Sequence, residues 1–231
     1  MIVPRLYIWN SMNDINEFIN SIEEKSKSII KRILNHPYIL SIENGKIPKE
    51  KMRLFAIEQY YIISNDRRSF AIMASRASDN TSAGLFEEYV KVEDKALANL
   101  DLLINELNIS KKELDFYEPI AGCQAYTNYL SKLTLQGSES SIVVAMLVDL
   151  PIWGKNCGRI GESLKRNYKF TEESCIFFHN FATPFSQDYI TKSNKIIRSN
   201  LQQNYQELCI AARLILDYEL LFWDTIYQHS I

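Results

Sequence analysis

Glycine and proline are scarce in this chain, with 7 Gly and 6 Pro in 231 residues, well under the roughly 7% and 5% of average proteins. Few turn-formers mean few turns, which disfavours many short strands and favours long helices. Cysteine and histidine are sparse too. Cys123, Cys157, Cys175 and Cys209 form no C-x-x-C pair and have no His at metal-ligand spacing. None of His36, His179 and His229 has an acid three residues before it, so the Glu-x-x-His pairs of bundle di-metal sites are missing, and no metal or cofactor is expected. No apolar run approaches the roughly 18 residues of a membrane span, and Met1 to Asn16 lacks the apolar core of a secretory leader. The expectation is a soluble cytoplasmic protein with free thiols. Net charge is only −2. The basic stretches Arg67-Arg68 and Lys25 to Arg32 are short and mixed with acids or apolar residues, which reads as solvated helix faces and against a nucleic-acid partner. G-x-S-x-G, glycine-rich phosphate loops and H-E-x-x-H are absent.

What the chain does have is helical periodicity and aromatics, with 13 Tyr, 11 Phe and 3 Trp. Ile15 to Leu34 carries apolar residues at helical spacing and stops at Asn35-His36-Pro37, because the residue before proline leaves the α region. Asn44-Gly45 reads as a turn, and Pro48 suits the first turn of a helix running towards Ala77. Ser78 to Thr81 reads as a linker. Leu85 to Leu107 is helical again, and Ser110-Lys111-Lys112-Glu113 fits a capping box. Gln124 to Leu135 follows Pro119. Ser140 to Leu164 continues past Pro151, where a break or kink is expected. Lys169 to Arg198 bends at Pro184, and Gln202 to Tyr227 is the last helix. No segment alternates with period two, and no repeat or composition shift marks a boundary. The reading is all-α, seven to nine helices in one domain over residues 1–231.

Two residues stand out chemically. Ile215, Glu219, Phe222, Trp223 and Ile226 fall at i, i+4, i+7, i+8 and i+11, so Glu219 shares the apolar stripe of the last helix. Burial there disfavours the carboxylate, which suits a general acid or base; the bland reading is a Glu paired with a neighbouring cation. Cys157 lies just past Pro151-Ile152-Trp153, with Lys155 and Arg159 nearby. A bent helix would open it to a pocket as a nucleophile, although a helical cysteine is more often a small core residue.

Several segments, in order, resemble the TenA/thiaminase II family, part of the wider haem-oxygenase-like, PqqC-like helical superfamily. Asn35-His36-Pro37-Tyr38 resembles its H-P-F entry. Asn44 to Pro48 with Met52 and Phe55 to Tyr61 resembles its "D-G-x-L-P … F … Y-V-x-Q-D-x-Y-Y" helix. Pro119 with Ala125 to Leu130, and Ala145 to Leu147 through Pro151, Trp153 and Gly161-Glu162, are similar to two more of its segments. Tyr218-Glu219-Leu220-Leu221-Phe222-Trp223 to Tyr227 is similar to "Y-E-x-x-F-W-x-M-A-Y". The resemblance implies a multi-helix haem-oxygenase-like bundle with a central small-molecule pocket, a homo-oligomer (commonly a tetramer), and hydrolysis of an aminopyrimidine in thiamine salvage. In that family a Cys attacks the ring, the final-helix Glu handles protons, an Asp holds the ring and Tyr residues orient it. Carried across, Glu219 takes the catalytic Glu position, Tyr126 a pocket Tyr and Phe222 a wall aromatic. The ring-binding Asp falls on Gln59, two further Tyr positions on Ile62 and Phe185, and the nucleophile on Ile152, or on Trp153 with a one-residue slip. The His ligands of related di-iron oxidases fall on residues such as Asn99 and Pro184. Two readings follow: a thiaminase II-type hydrolase diverged at its nucleophile, or a non-catalytic heterocycle-binding or regulatory protein that kept the pocket.

Overall fold

Several helices begin where the sequence supplies a side-chain cap. The computed structural model describes residues 12–229. It contains α1 (Met12–Leu34), α2 (Pro37–Glu43), α3 (Lys49–Arg76), α4 (Asn80–Glu106), α5 (Lys111–Phe116), α6 (Ala121–Gln136), α7 (Glu139–Tyr168), a 3₁₀ turn (Glu173–Cys175), α8 (Ile176–Phe181) and α9 (Gln187–Gln228). Among the described residues there is no strand.

His36 caps α2. Its Nδ1 accepts from the Tyr38 N–H at 3.1 Å while its Nε2 lies 3.1 Å from Asp224 Oδ1 on α9. An accepting Nδ1 puts the ring proton on Nε2, so His36 donates to Asp224. Burial lowers its pKa, against the pull of Asp224. Gly45 closes the α2 turn at φ +65°, a conformation free of cost only for glycine. Lys51 Nζ donates to the Ile226 and Tyr227 carbonyls at 3.0 and 2.8 Å. A cation thus meets the unsatisfied carbonyls at the end of α9, tying the start of α3 to the end of the last helix.

Asp79 caps α4 by accepting from the Thr81 and Ser82 N–H groups at 2.7 and 2.9 Å. The expected linker is therefore shorter than residues 78–81, since Asn80 and Thr81 are already helical. The capping box at α5 forms as expected, with Glu113 N–H to Ser110 Oγ at 3.2 Å and Ser110 N–H to Glu113 Oε2 at 2.8 Å.

α6 has no side-chain cap of its own. Glu58 of α3, fully buried, supplies it from outside: it accepts from the Ile120 N–H at 2.8 Å, the Tyr117 hydroxyl at 2.5 Å and Gln124 Nε2 at 2.6 Å.

Two expected breaks differ. α7 runs through Pro151 as one helix; the ring lies on an exposed position, where a missing N–H costs less than in the core. The segments expected over Lys169 to Arg198 and from Gln202 divide elsewhere. Pro184 lies in the break between α8 and α9, and α9 then runs continuously from Gln187, interrupted only by the non-helical Asn204 (φ −118°, ψ 17°).

α3 packs on α4 and α6, and α9 packs on α7, α6 and α1. The core fills with large apolar side chains, with Phe18, Phe70, Phe86, Phe177, Phe178 and Trp223 among the most deeply buried. Arg67 and Arg68 are exposed, as a solvated face requires.

Candidate functional site

A cavity of about 1020 Å³ opens among α3, α4, α6, α7 and α9. Helical spacing decides what faces it. From α3 come Gln59, Ile62, Ile63, Asp66 and Phe70, at i, i+3, i+4, i+7 and i+11. From α7 come Met146, Asp149, Leu150, Trp153 and Gly154. α9 contributes Tyr189 near its start and Glu219 and Phe222 near its end, α4 contributes Tyr89 and Glu93, and α6 contributes Tyr126. The break after α8 supplies Phe185. It sits close against α7 because Gly154 has no side chain: a Cβ there would lie 2.4 Å from the Phe181 carbonyl oxygen.

The centre of the site is a pair of carboxyl groups. Glu219 is 1% exposed. Its Oε1 accepts from Trp223 Nε1–H, one turn along the same helix, at 3.0 Å. Asp149, also 1% exposed, accepts from the Tyr126 hydroxyl at 2.8 Å on Oδ2. Neither Glu219 Oε2 nor Asp149 Oδ1 meets an N–H or hydroxyl donor. The two side chains lie close enough for each to shift the other's pKa. Burial, and then the charge of Asp149, holds Glu219 well above the usual carboxylate range. Burial pushes Asp149 up to about 7, while Tyr126 and Glu219 pull it down. Glu219 therefore keeps its proton and Asp149 is the first of the two to ionise. One acid and one base side by side near neutral pH can move protons in both directions.

A second pair extends the first. Asp66, 6% exposed, accepts from the Thr127 hydroxyl, which in turn accepts from Asn65 Nδ2 at 2.8 Å. Burial pushes Asp66 up to about 7, opposed by Thr127 and reinforced by Asp149. Glu93 is held well above its usual range by burial and then by Asp66. The walls are aromatic. Phe70 stacks on Tyr89 with ring centroids 4.7 Å apart, Phe185 on Tyr189 at 4.2 Å, and Trp153 meets Phe222 edge-on at 6.0 Å. The Tyr89 and Tyr189 hydroxyls bond at 2.6 Å.

Of the residues singled out from the sequence, the fold brings Gln59, Ile62, Tyr126, Trp153, Phe185, Glu219 and Phe222 to this one cavity. Two lie elsewhere. Ile152, 5% exposed, and Cys157, fully buried, are not among the lining residues. Because α7 stays helical through Pro151, nothing turns Cys157 inward. Burial, and then the Glu219 charge, raises its thiol well above the usual range, the opposite of what a nucleophile requires. Asp66, Glu93 and Asp149 were not found from the sequence. Asp149 carried a signal: it is the one charge in the apolar run Ile142 to Ile152. Asp66 follows Gln59 by seven residues, on the same helical face.

The TENA/THI-4/PQQC family model matches residues 23–229. The chain belongs to the TENA/THI-4/PQQC family. An aminopyrimidine aminohydrolase of Helicobacter pylori is 22% identical over 218 residues, spanning 89% of this chain and 96% of that protein. An aminopyrimidine aminohydrolase of Halalkalibacterium halodurans is 27% identical over 135 residues, and that match spans 56% of this chain and only 58% of the relative's length. Among solved structures, a TenA homologue from Pyrococcus furiosus superposes with a TM-score of 0.74 at 21% identity, covering 91% of this chain and 100% of that one. A Shewanella denitrificans domain with a haem-oxygenase-like fold gives 0.73 at 12% identity, covering 94% of each. This TENA/THI-4/PQQC chain therefore has the haem-oxygenase-like fold, and its carboxyl pair lies in the cavity that the fold encloses.

Proposed function

We propose that this chain is a thiaminase II-type hydrolase that removes an amino group from an aminopyrimidine or related amino-heterocycle, with the Glu219–Asp149 pair taking the place of a cysteine. The observation that carries the reading is the presence of two buried carboxyl groups, Glu219 and Asp149, in the lining of one aromatic-walled cavity. The relatives named as aminopyrimidine aminohydrolases supply the substrate class.

Gln59, which can both donate and accept, meets the edge of the ring, and Trp153 and Phe222 hold its faces. Glu219 donates its proton to a ring nitrogen, which makes the amino-bearing carbon electrophilic. Ionised Asp149 takes a proton from water as the water oxygen bonds to that carbon. In the resulting adduct the amino nitrogen receives the proton from Asp149, the carbon–nitrogen bond breaks, and ammonia leaves. The ring nitrogen returns its proton to Glu219, so a hydroxy-heterocycle and ammonia form from the amine and one water. No covalent enzyme intermediate is required. The reading includes a cytoplasmic setting and a homotetramer, the latter measurable by light scattering. Among the described residues no helix is long and apolar enough to cross a membrane.

Ammonia release from 4-amino-2-methylpyrimidines, followed in the wild type, Glu219→Gln and Cys157→Ser, tests the proposal. Glu219→Gln should lose at least about 100-fold in kcat, the span expected of a general acid–base, and Cys157→Ser should retain turnover. Pyrimidine binding without ammonia release in the wild type would instead support a heterocycle-binding protein, the reading favoured by the missing nucleophile at Ile152.

A further inference from the structure

The carboxyl pair is almost shut off from solvent. Glu219, Asp149, Phe222 and Met146 line the cavity, and each is 2% exposed or less. A ring-sized molecule reaches them only when part of the wall moves. Most of the wall resists that. α3, α4, α6, α7 and α9 beyond Asn204 each bury a run of apolar side chains in the core, so displacing any of them would return that surface to water.

Residues 182–192 are built differently. They cross the edge of the cavity and supply Ala182, Pro184, Phe185 and Tyr189 to its lining, yet not one of them is buried. Both ends of the stretch are fixed. At one end the Phe181 carbonyl occupies the space of a missing Gly154 side chain, since a Cβ there would lie 2.4 Å from its oxygen. At the other, Ser193, Asn194, Ile196 and Ile197 are buried, and the Ile196 carbonyl accepts from Ser140 Oγ at 2.8 Å.

Between these ends two aromatic rings, Phe185 and Tyr189, stack on each other at 4.2 Å and form the inner surface. Two contacts fasten the stretch to α4 among the described residues. Lys192 Nζ donates to Glu88 at 2.5 Å, but both side chains are partly exposed, and such pairs hold weakly. The other contact is the hydroxyl pair of Tyr89 and Tyr189 at 2.6 Å. Tyr89 is only 5% exposed and lies against Phe70, so it is a fixed post for a movable partner. A segment with few buried groups is the one that opens at least cost.

We propose that residues 182–192 form a strap that opens to admit and release the ligand, with the Tyr89–Tyr189 hydrogen bond as its latch. Phe185 and Tyr189 leave together, and the chain turns at the Gly154 contact and at Ser193. The helices that carry Gln59, Asp149 and Glu219 stay where they are, so the geometry of the site is kept through each opening. The strap concerns access alone and holds whichever ligand the cavity takes.

Thiol labelling of Met146→Cys in the whole protein, read peptide by peptide by mass spectrometry, measures how often the strap is open. Met146 faces the cavity. Cys157, on the same helix, is fully buried outside it and reports loosening of the whole fold. Tyr189→Phe removes the latch and keeps the ring. It should speed labelling at position 146 by roughly two- to tenfold, the span of one hydrogen bond, and leave Cys157 unchanged. Hydrogen exchange of the chain carrying Tyr189→Phe alone keeps the test open if Met146→Cys disturbs packing. Amides of residues 183–192 should exchange faster by a similar factor, and those of residues 205–228 should not change. Labelling and exchange unmoved by Tyr189→Phe would overturn the proposal. So would equal acceleration at position 146 and Cys157, or across residues 205–228, because the whole fold and not the strap would then be opening.

Discussion

Replacing Asp149 by Asn should make the unliganded protein more stable, and more so as pH rises. Burial pushes Asp149 up to about 7 in the fold, against about 3.9 in an unfolded chain. Its folded form therefore holds a proton that the unfolded form has already lost, and the wild type loses stability as pH climbs from about 4 through 7. Each pH unit in the middle of that window costs about 1.4 kcal/mol per group. The asparagine side chain has no proton to lose. It still accepts from Tyr126 through its oxygen, so that bond changes little with pH. The gain of the variant over the wild type should accordingly grow by about 2 kcal/mol between about pH 5 and about pH 7, then level off. Urea unfolding followed by the fluorescence of the buried Trp153 and Trp223 measures it. Protein concentration must be held fixed, since self-association adds to apparent stability. A stability difference that is flat with pH, or that shrinks as pH rises, would refute the claim that Asp149 is buried at the cost of its charge. The same variant should lose turnover, since it removes the base.

Gly154→Ala places a methyl group against the Phe181 carbonyl, 2.4 Å from its oxygen. It should cost about 1–3 kcal/mol and raise KM more than it lowers kcat, because the displaced segment carries Phe185. Glu58→Ala strands the Ile120 N–H and two side-chain donors, and should destabilise by about 3 kcal/mol or more in the same urea assay. Native-state alkylation at about pH 8, read by mass spectrometry, should label Cys209 first, since Cys123, Cys157 and Cys175 are buried; rapid loss of activity with labelling at Cys157 would contradict its place in the core.

The helices were legible because their stripes and caps are local. Ser110 and Glu113 stand three residues apart and must meet if the backbone turns there. Glu219 was legible for the same reason: its spacing from Ile215 and Phe222 places it on a buried stripe whatever the neighbours are. Asp149 and Asp66 were harder, because their importance comes from facing each other across different helices, which no spacing within one helix encodes. Of the break or kink expected at Pro151, the break does not occur. The ring removes a hydrogen bond, but α7 packs against α9 and continues as one helix, with Cys157 buried. The split expected before Gln202 is reduced to one non-helical residue, Asn204, inside a continuous α9.

Glu58 has a further consequence for how such a chain can diverge. Because α6 takes its starting point from a carboxylate on α3, Tyr126 and Gln59 are indexed to the same helix, and Tyr117 ties the connecting peptide to that carboxylate too. Only the exposed positions of that peptide, Lys111, Lys112, Asp115 and Phe116, are free to drift or acquire a new surface without shifting the cavity wall. The chemistry and the exterior can therefore evolve on separate clocks, so long as one buried acid is retained.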